Sequence, residues 1–173
     1  MRRKYTANHF AQLIESIHEK VPLAAIGIDV MSGFPGEDTV AHQNTYSLIK
    51  DLPVSYLHVF PFSPRPGTPA ATFDGRIDSR VIKERAAALR QLGQEKRMTF
   101  YQNCLKKEFM VLPEGWHPEK EGLMKGKSDN YLPVLFPSFE DLDQLVPVVM
   151  ESVEGNMVIG SMQRIIPEDM IQM

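Results

Sequence analysis

Ala24-Ala25-Ile26-Gly27-Ile28-Asp29-Val30-Met31-Ser32-Gly33-Phe34-Pro35-Gly36-Glu37-Asp38 is the stretch that decides how this chain folds. From Ala24 to Met31 it is a nearly continuous apolar run, as in a parallel strand buried on both faces. From Ser32 onward it is turn chemistry, ending in two carboxylates that suit a helix start. Upstream, Phe10, Leu13, Ile14 and Ile17 recur at helical spacing behind Thr6 or Asn8 as cap, and Val21-Pro22 ends that helix near Lys20. Downstream, a second helix is expected over about Thr39 to Leu52 and a second strand over Ser55 to Phe62. A loop with Pro61, Pro64, Pro66 and Pro69 follows. A long helix then opens at Asp78 or Ser79 and reaches about Tyr101, with Val81, Ile82, Leu89 and Leu92 on one face. The order α-β-α-β-α predicts parallel strands with right-handed crossovers. Two parallel strands leave both edges unpaired. A larger α/β barrel or sheet, or a homo-oligomer through those edges, is needed to complete them.

Near Gln102 to Lys107 the texture changes to short β-type segments broken by Gly, Pro and Asn. Candidate strands are Glu108 to Leu112, Gly122 to Gly126, Leu132 to Phe136, Leu145 to Val153 and Asn156 to Met162, with Gly155-Asn156 as a hairpin signal. A small antiparallel barrel of the oligonucleotide-binding (OB-like) kind is expected. The fold class is therefore α/β followed by all-β, with domains over 1–103 and 104–173. Charge divides at the same place. Residues 1–105 carry 13 Lys and Arg against 10 Asp and Glu, and residues 106–173 carry 6 against 12. The net charge of −3 demands no nucleic-acid partner for the chain as a whole. Hydrophobic residues at 43% and charged residues at 24% exclude wholesale disorder. No apolar run approaches the ~20 residues that span a bilayer, and Met1 to Thr6 lead into no signal-peptide core, so a cytoplasmic protein without a membrane partner is expected. The single cysteine, Cys104, excludes an intramolecular disulfide and any multi-thiolate metal site within this chain.

Two segments carry candidate chemistry. Gly33-Phe34-Pro35-Gly36-Glu37 lies between strand and helix, where α/β barrels place ligand-binding residues. Glycines let backbone amides approach a ligand, although a plain βα turn, with Glu37 and Asp38 complementing the helix dipole, explains the same residues. Tyr56 to Ala70 sets Phe60 and Phe62 in a proline-stiffened loop, an aromatic wall suited to a purine, with Arg65 available to a phosphate or carboxylate. The competing reading is a rigid connector whose aromatics are core. In the second module, Lys106 with Lys107, and Lys120, Lys125 and Lys127 near Asn130 and Tyr131, are local basic patches. Tyr131 suits stacking on a base and Asn130 hydrogen bonding to one; a strand residue and a turn residue are the plainer alternatives. Lys83, Arg90 and Arg97 share one face of the long helix, most simply a solvated one.

Met1-Arg2-Arg3-Lys4-Tyr5-Thr6, the turn from Gly33 to Glu37 and the run from Tyr56 to Ala70 occur in one order. Together they resemble the second half of a radical S-adenosylmethionine tRNA methylthiotransferase. Gly126-Lys127-Ser128-Asp129-Asn130-Tyr131, with Val134, resembles the TRAM domain that closes such enzymes. The pattern is most similar to the subgroup acting on N6-threonylcarbamoyladenosine beside the anticodon; subgroups acting on isopentenyl-adenosine or a ribosomal protein aspartate stay open. The resemblance implies that Arg3 holds the methionine carboxylate of S-adenosylmethionine. It also implies that Gly33, Phe34, Pro35 and Gly36 line the cosubstrate and that Phe60, Pro61 and Phe62 lie near its adenine. Arg65, Lys106, Lys107, Lys125, Lys127, Asn130 and Tyr131 are then the candidates for contact with the tRNA anticodon stem-loop. Such enzymes hold [4Fe–4S] clusters on cysteines that this chain lacks, among them a CxxxCxxC loop. The expectation is a partial cosubstrate site, an absent N-terminal part of the parent enzyme, no catalytic residue here, and no activity for this chain alone. The alternatives are a stand-alone RNA-binding module and an inactive truncated product.

Overall fold

The computed structural model describes residues 4–162. The chain divides into two compact units, Met1–Phe100 and Tyr101–Met173. Arg3 lies outside the described residues.

In the first unit, Thr6 caps α1 (Ala7–Lys20) by accepting from the His9 amide at 3.2 Å. Strand β1 (Gly27–Ser32) leads through the turn to α2 (Thr39–Asp51), capped by Asp38, which accepts from the Ala41 amide at 2.7 Å. Strand β2 (Tyr56–Pro61) runs parallel to β1, in register from Gly27 opposite Tyr56 to Ser32 opposite Pro61. After a 3-10 turn at Pro69–Thr72 comes α3 (Ser79–Cys104), which crosses the boundary between the units. Ile14 of α1, Ile49 of α2, and Leu89 and Leu92 of α3 form one buried cluster with Ile28, Val30 and Leu57 of the strands. Each such side chain contributes about 1.5–3 kcal/mol by leaving water. At the end of α2, the Lys96 ammonium donates to the carbonyls of Lys50 and Leu52, the latter at 2.7 Å. These are the orphan acceptors of a helix terminus.

A strand buried on both faces was the expectation for β1, and it fails. The strand begins at Gly27, and burial alternates: Ile28, Val30 and Ser32 are buried while Gly27, Asp29 and Met31 are exposed. All three helices contribute to a core on one face of the two-stranded sheet, so among the described residues the other face stays open. The apolar run was continuous only because Gly27 and Met31 count as apolar; Asp29 marks the parity.

The second unit is a closed barrel of five strands in the order β3-β4-β5-β7-β6. These are β3 (Glu108–Trp116), β4 (Leu123–Ser128), β5 (Pro133–Pro137), β6 (Val146–Glu154) and β7 (Met157–Met162). Val111, Met124, Val134, Phe136, Met150 and Val158 are fully buried within it. The Gly155-Asn156 turn joins β6 to β7, with Gly155 at φ +57°. Closure leaves no free edge. An entirely antiparallel barrel was expected, and one seam departs from it: β5 and β7 pair in parallel, Val134 opposite Val158 and Leu135 opposite Ile159. Directions can alternate around a closed ring only when the number of strands is even. Five strands therefore force one parallel seam. At Gly126 the strands approach closely: a Cβ there would stand 2.5 Å from the Leu112 carbonyl oxygen. No helix of the described residues is long and apolar enough to cross a membrane.

Candidate functional site

At the C-terminal ends of β1 and β2, residues 34–37 form a type II turn. The Glu37 amide donates to the Phe34 carbonyl at 2.9 Å, Pro35 takes the second position, and Gly36, at φ +84°, the third. Gly33 is required twice over. Its φ is +82°, and a Cβ would stand 2.4 Å from Ile82 Cγ1. The Gly33 amide donates to Glu37 Oε2 at 3.0 Å and the Gly36 amide to the Gly75 carbonyl at 2.9 Å. Both amides are therefore bonded within the protein. What the turn presents outward is the bare Cα of Gly36, with nothing within 4 Å of where a Cβ would be, and half-buried Phe34.

Glu37 clamps the turn rather than starting the helix. Arg85 Nη1 donates to Glu37 Oε1 at 2.8 Å and to the Glu37 carbonyl at 2.7 Å, and His42 Nδ1 stands 3.9 Å from the same carboxylate oxygen. Burial holds the His42 imidazole below its ordinary pKa; the Glu37 carboxylate opposes that shift and the Arg85 guanidinium adds to it. At the end of β1 the Ser32 hydroxyl is fully buried and has no hydrogen-bond partner among the described residues.

Phe34 meets Phe62 edge-on at 5.3 Å between centroids and Phe73 at 6.1 Å. The Phe62 amide donates to the Ser32 carbonyl at 2.8 Å, which fixes this aromatic group to the end of β1. Phe60 and Met31 are register partners on the open sheet face, Phe60 being 51% exposed. Pro61 and Arg65 are solvent-exposed, and the Arg65 carbonyl accepts from the Thr68 amide and hydroxyl, which folds the loop back. The turn Gly33–Gly36 and the segment Phe60–Phe62 thus come together at one end of the sheet. Sequence reading missed Arg85, because it lies 48 residues from Glu37 with no local pattern to link them. It also missed Asp29 and His58, adjacent in register on the open face, where Tyr56 stands edge-on to His58 at 5.3 Å. Strand parity was the signal for that pair.

In the barrel the candidate lysines separate. Lys106, at φ +62°, pairs with Glu151, whose carboxyl is held below its ordinary pKa first by that hydrogen bond. Lys107 Nζ donates to the Asn103 carbonyl at 2.8 Å, and Lys120 pairs with Glu154 at 2.8 Å. Lys125 and Lys127 both point outward from β4, and neither ammonium has a hydrogen bond or ion pair among the described residues. Asn130 is partly spent internally: its Oδ1 accepts from the Ser128 hydroxyl at 2.6 Å and its Nδ2 donates to Cys104 Sγ at 3.6 Å. Tyr131 is 74% exposed at φ +65°. Cys104 is fully buried, and burial raises its thiol pKa, with Asn130 and Lys107 opposing.

No protein-family model matches the chain. Individual proteins do. The chain is 34% identical over 150 residues to threonylcarbamoyladenosine tRNA methylthiotransferase MtaB of Aquifex aeolicus, covering 87% of this chain and 35% of that protein. It is 36% identical over 144 residues to MtaB of Bacillus subtilis, covering 82% and 32%. It is also 36% identical over 167 residues to tRNA-2-methylthio-N(6)-dimethylallyladenosine synthase of Vibrio parahaemolyticus, covering 95% and 35%. The chain spans about a third of the length of these curated relatives. Because matches this long cannot fall within one unit, the likeness to these tRNA methylthiotransferases extends over both.

Proposed function

We propose that this chain is the C-terminal portion of a radical S-adenosylmethionine tRNA methylthiotransferase that acts on N6-threonylcarbamoyladenosine next to the anticodon in the cytoplasm. The observation that carries the reading is the likeness across both units to enzymes named for this chemistry. In this reading the first unit is a two-stranded piece of the (β/α) barrel, whose missing strands pair with the free edges of β1 and β2. The second is the TRAM domain. Its strand order and the parallel β5–β7 seam support an OB-like barrel.

The residues at the end of the sheet suit an adenine ring. Phe60 and Met31 offer exposed apolar surface, the Phe34–Phe62–Phe73 group backs it, and Gly36 lets the ring approach the backbone. Gly33 and Pro35 serve by shaping the turn, and Pro61 by stiffening the strand end. Arg3 takes the methionine carboxylate as a bidentate partner. S-adenosylmethionine supplies the radical chemistry and the transferred methyl group in such an enzyme. An iron–sulfur cluster does not fit this chain, since clusters take several thiolates and the one thiol here is buried against Asn130. The cluster ligands therefore belong to the remainder of the enzyme, and the chain alone is inactive.

Lys125 and Lys127 are the main phosphate contacts of the barrel, with Tyr131 beside them. Arg65, Lys106, Lys107 and Asn130 contribute at the margin. A titration of the chain with a tRNA anticodon stem-loop across salt concentrations tests this. Two phosphate contacts give a slope of log K against log salt of roughly −1.5. Lys127→Gln reduces that slope by about 1 in magnitude and weakens all sequences alike. Binding that ignores salt contradicts the reading.

A further inference from the structure

Tyr131 combines two unfavourable features. Its backbone lies in the left-handed region, which a side chain with a Cβ rarely adopts, and its ring is 74% exposed. For stability alone, glycine serves better at this position on both counts. A strained conformation persists where its surroundings over-determine it, and such places concentrate where ligands bind.

The surroundings here centre on Ser128, a buried residue at the end of β4. Its carbonyl accepts from the Tyr131 amide at 2.8 Å and its amide donates to the Leu132 carbonyl at 3.1 Å. Its hydroxyl accepts from the Leu132 amide at 2.8 Å and donates to Asn130 Oδ1 at 2.6 Å. Asn130 in turn is tied to Cys104, and the Asp129 amide donates to the Met110 carbonyl at 2.9 Å. Ser128 thus bonds both sides of Tyr131, and Leu132, the next residue, is fully buried. The backbone is held on both sides of the exposed ring. Lys127, with its unpaired ammonium, is the neighbour of Ser128 on the outer face of β4. This cation lies four positions before the exposed ring in sequence, and an unpaired nucleotide needs both: a surface for its base and a charge for its phosphate.

We propose that Tyr131 is a stacking platform for one unpaired RNA base and that Ser128 is the positioning residue that holds its ring in place. The proposal rests on the RNA-binding reading of the barrel and names its mode, recognition of a single-stranded loop rather than a duplex. The test uses the full chain with an anticodon stem-loop and, separately, a blunt duplex of equal length. Tyr131→Ala weakens stem-loop binding roughly tenfold, leaves duplex binding unchanged and keeps the salt slope. Ser128→Ala does the same, Ser128→Thr restores binding, and the double variant is no weaker than Tyr131→Ala alone, because the two act as one unit. Tyr131→Gly separates ligand contact from mere structure: it raises the melting temperature and still loses affinity. If Ser128→Ala does not fold, Tyr131→Ala and Tyr131→Gly, read on stem-loop and duplex, carry the test. Unaltered stem-loop affinity in Tyr131→Ala, equal losses on the duplex, or additive losses in the double variant overturn the proposal while the RNA-binding reading stands. Absence of any salt-sensitive binding by the unaltered chain overturns both.

Discussion

At the residue scale, the clearest departure from the simplest expectation is Glu37. A carboxylate just before a helix reads as a dipole partner, yet Asp38 is the cap and Glu37 is bonded to Arg85 and the Gly33 amide. The pair is mostly buried, so removing one partner leaves an uncompensated charge. Arg85→Met is expected to destabilise the first unit by about 3 kcal/mol, read by urea unfolding, and to loosen the 34–37 turn. His42 makes this site pH-sensitive. Its folded pKa lies below the unfolded value of 6.5, so the unfolded chain binds more protons as pH falls below 6.5. Stability is thus full above that value and declines toward the folded pKa; in His42→Phe the decline across this window is smaller. The Ser32 hydroxyl gives the opposite prediction. A buried hydroxyl with no partner carries a desolvation cost of about 1–3 kcal/mol, so Ser32→Ala raises the unfolding midpoint.

At the element scale, most of the architecture was legible. Thr6, Asp38 and the Val21-Pro22 pair mark helix ends through chemistry that acts within a few residues, and the Gly155-Asn156 turn does the same for β6 and β7. What escaped depended on partners distant in sequence. Exposure of one face of β1 follows from all three helices packing on the other, which the apolar run did not reveal. The parallel β5–β7 seam follows from ring closure, a property of five strands together. The candidate site was legible as segments, since Gly33–Gly36 and Phe60–Phe62 do meet at one end of the sheet. Arg85 and Ser128 were not, because their partners are set by the fold. Close approach of β3 to β4 at Gly126 makes a sharp test of the barrel. Gly126→Ala drives a Cβ into the Leu112 carbonyl and is expected to cost about 1–3 kcal/mol, with thermal unfolding of the barrel as the measurement.

At the scale of the whole molecule, the two units differ in charge as well as architecture. The acidic excess after residue 105 argues against a generally basic barrel surface, and ion pairing of Lys106 and Lys120 reduces the free cations further. Lys125 and Lys127 remain as a local patch, consistent with recognition of a few phosphates in one loop. The first unit contrasts with the barrel: among the described residues it has two parallel strands with one face uncovered, in a chain a third as long as the relatives it matches. Those relatives carry names for two different N6 substituents, so the identity of the modified nucleoside is the most informative observable. Mass spectrometry of tRNA nucleosides, with and without the gene encoding this chain, reads it directly. The expected result is loss of 2-methylthio-N6-threonylcarbamoyladenosine and accumulation of its unthiolated precursor; unchanged methylthiolated nucleosides contradict the account.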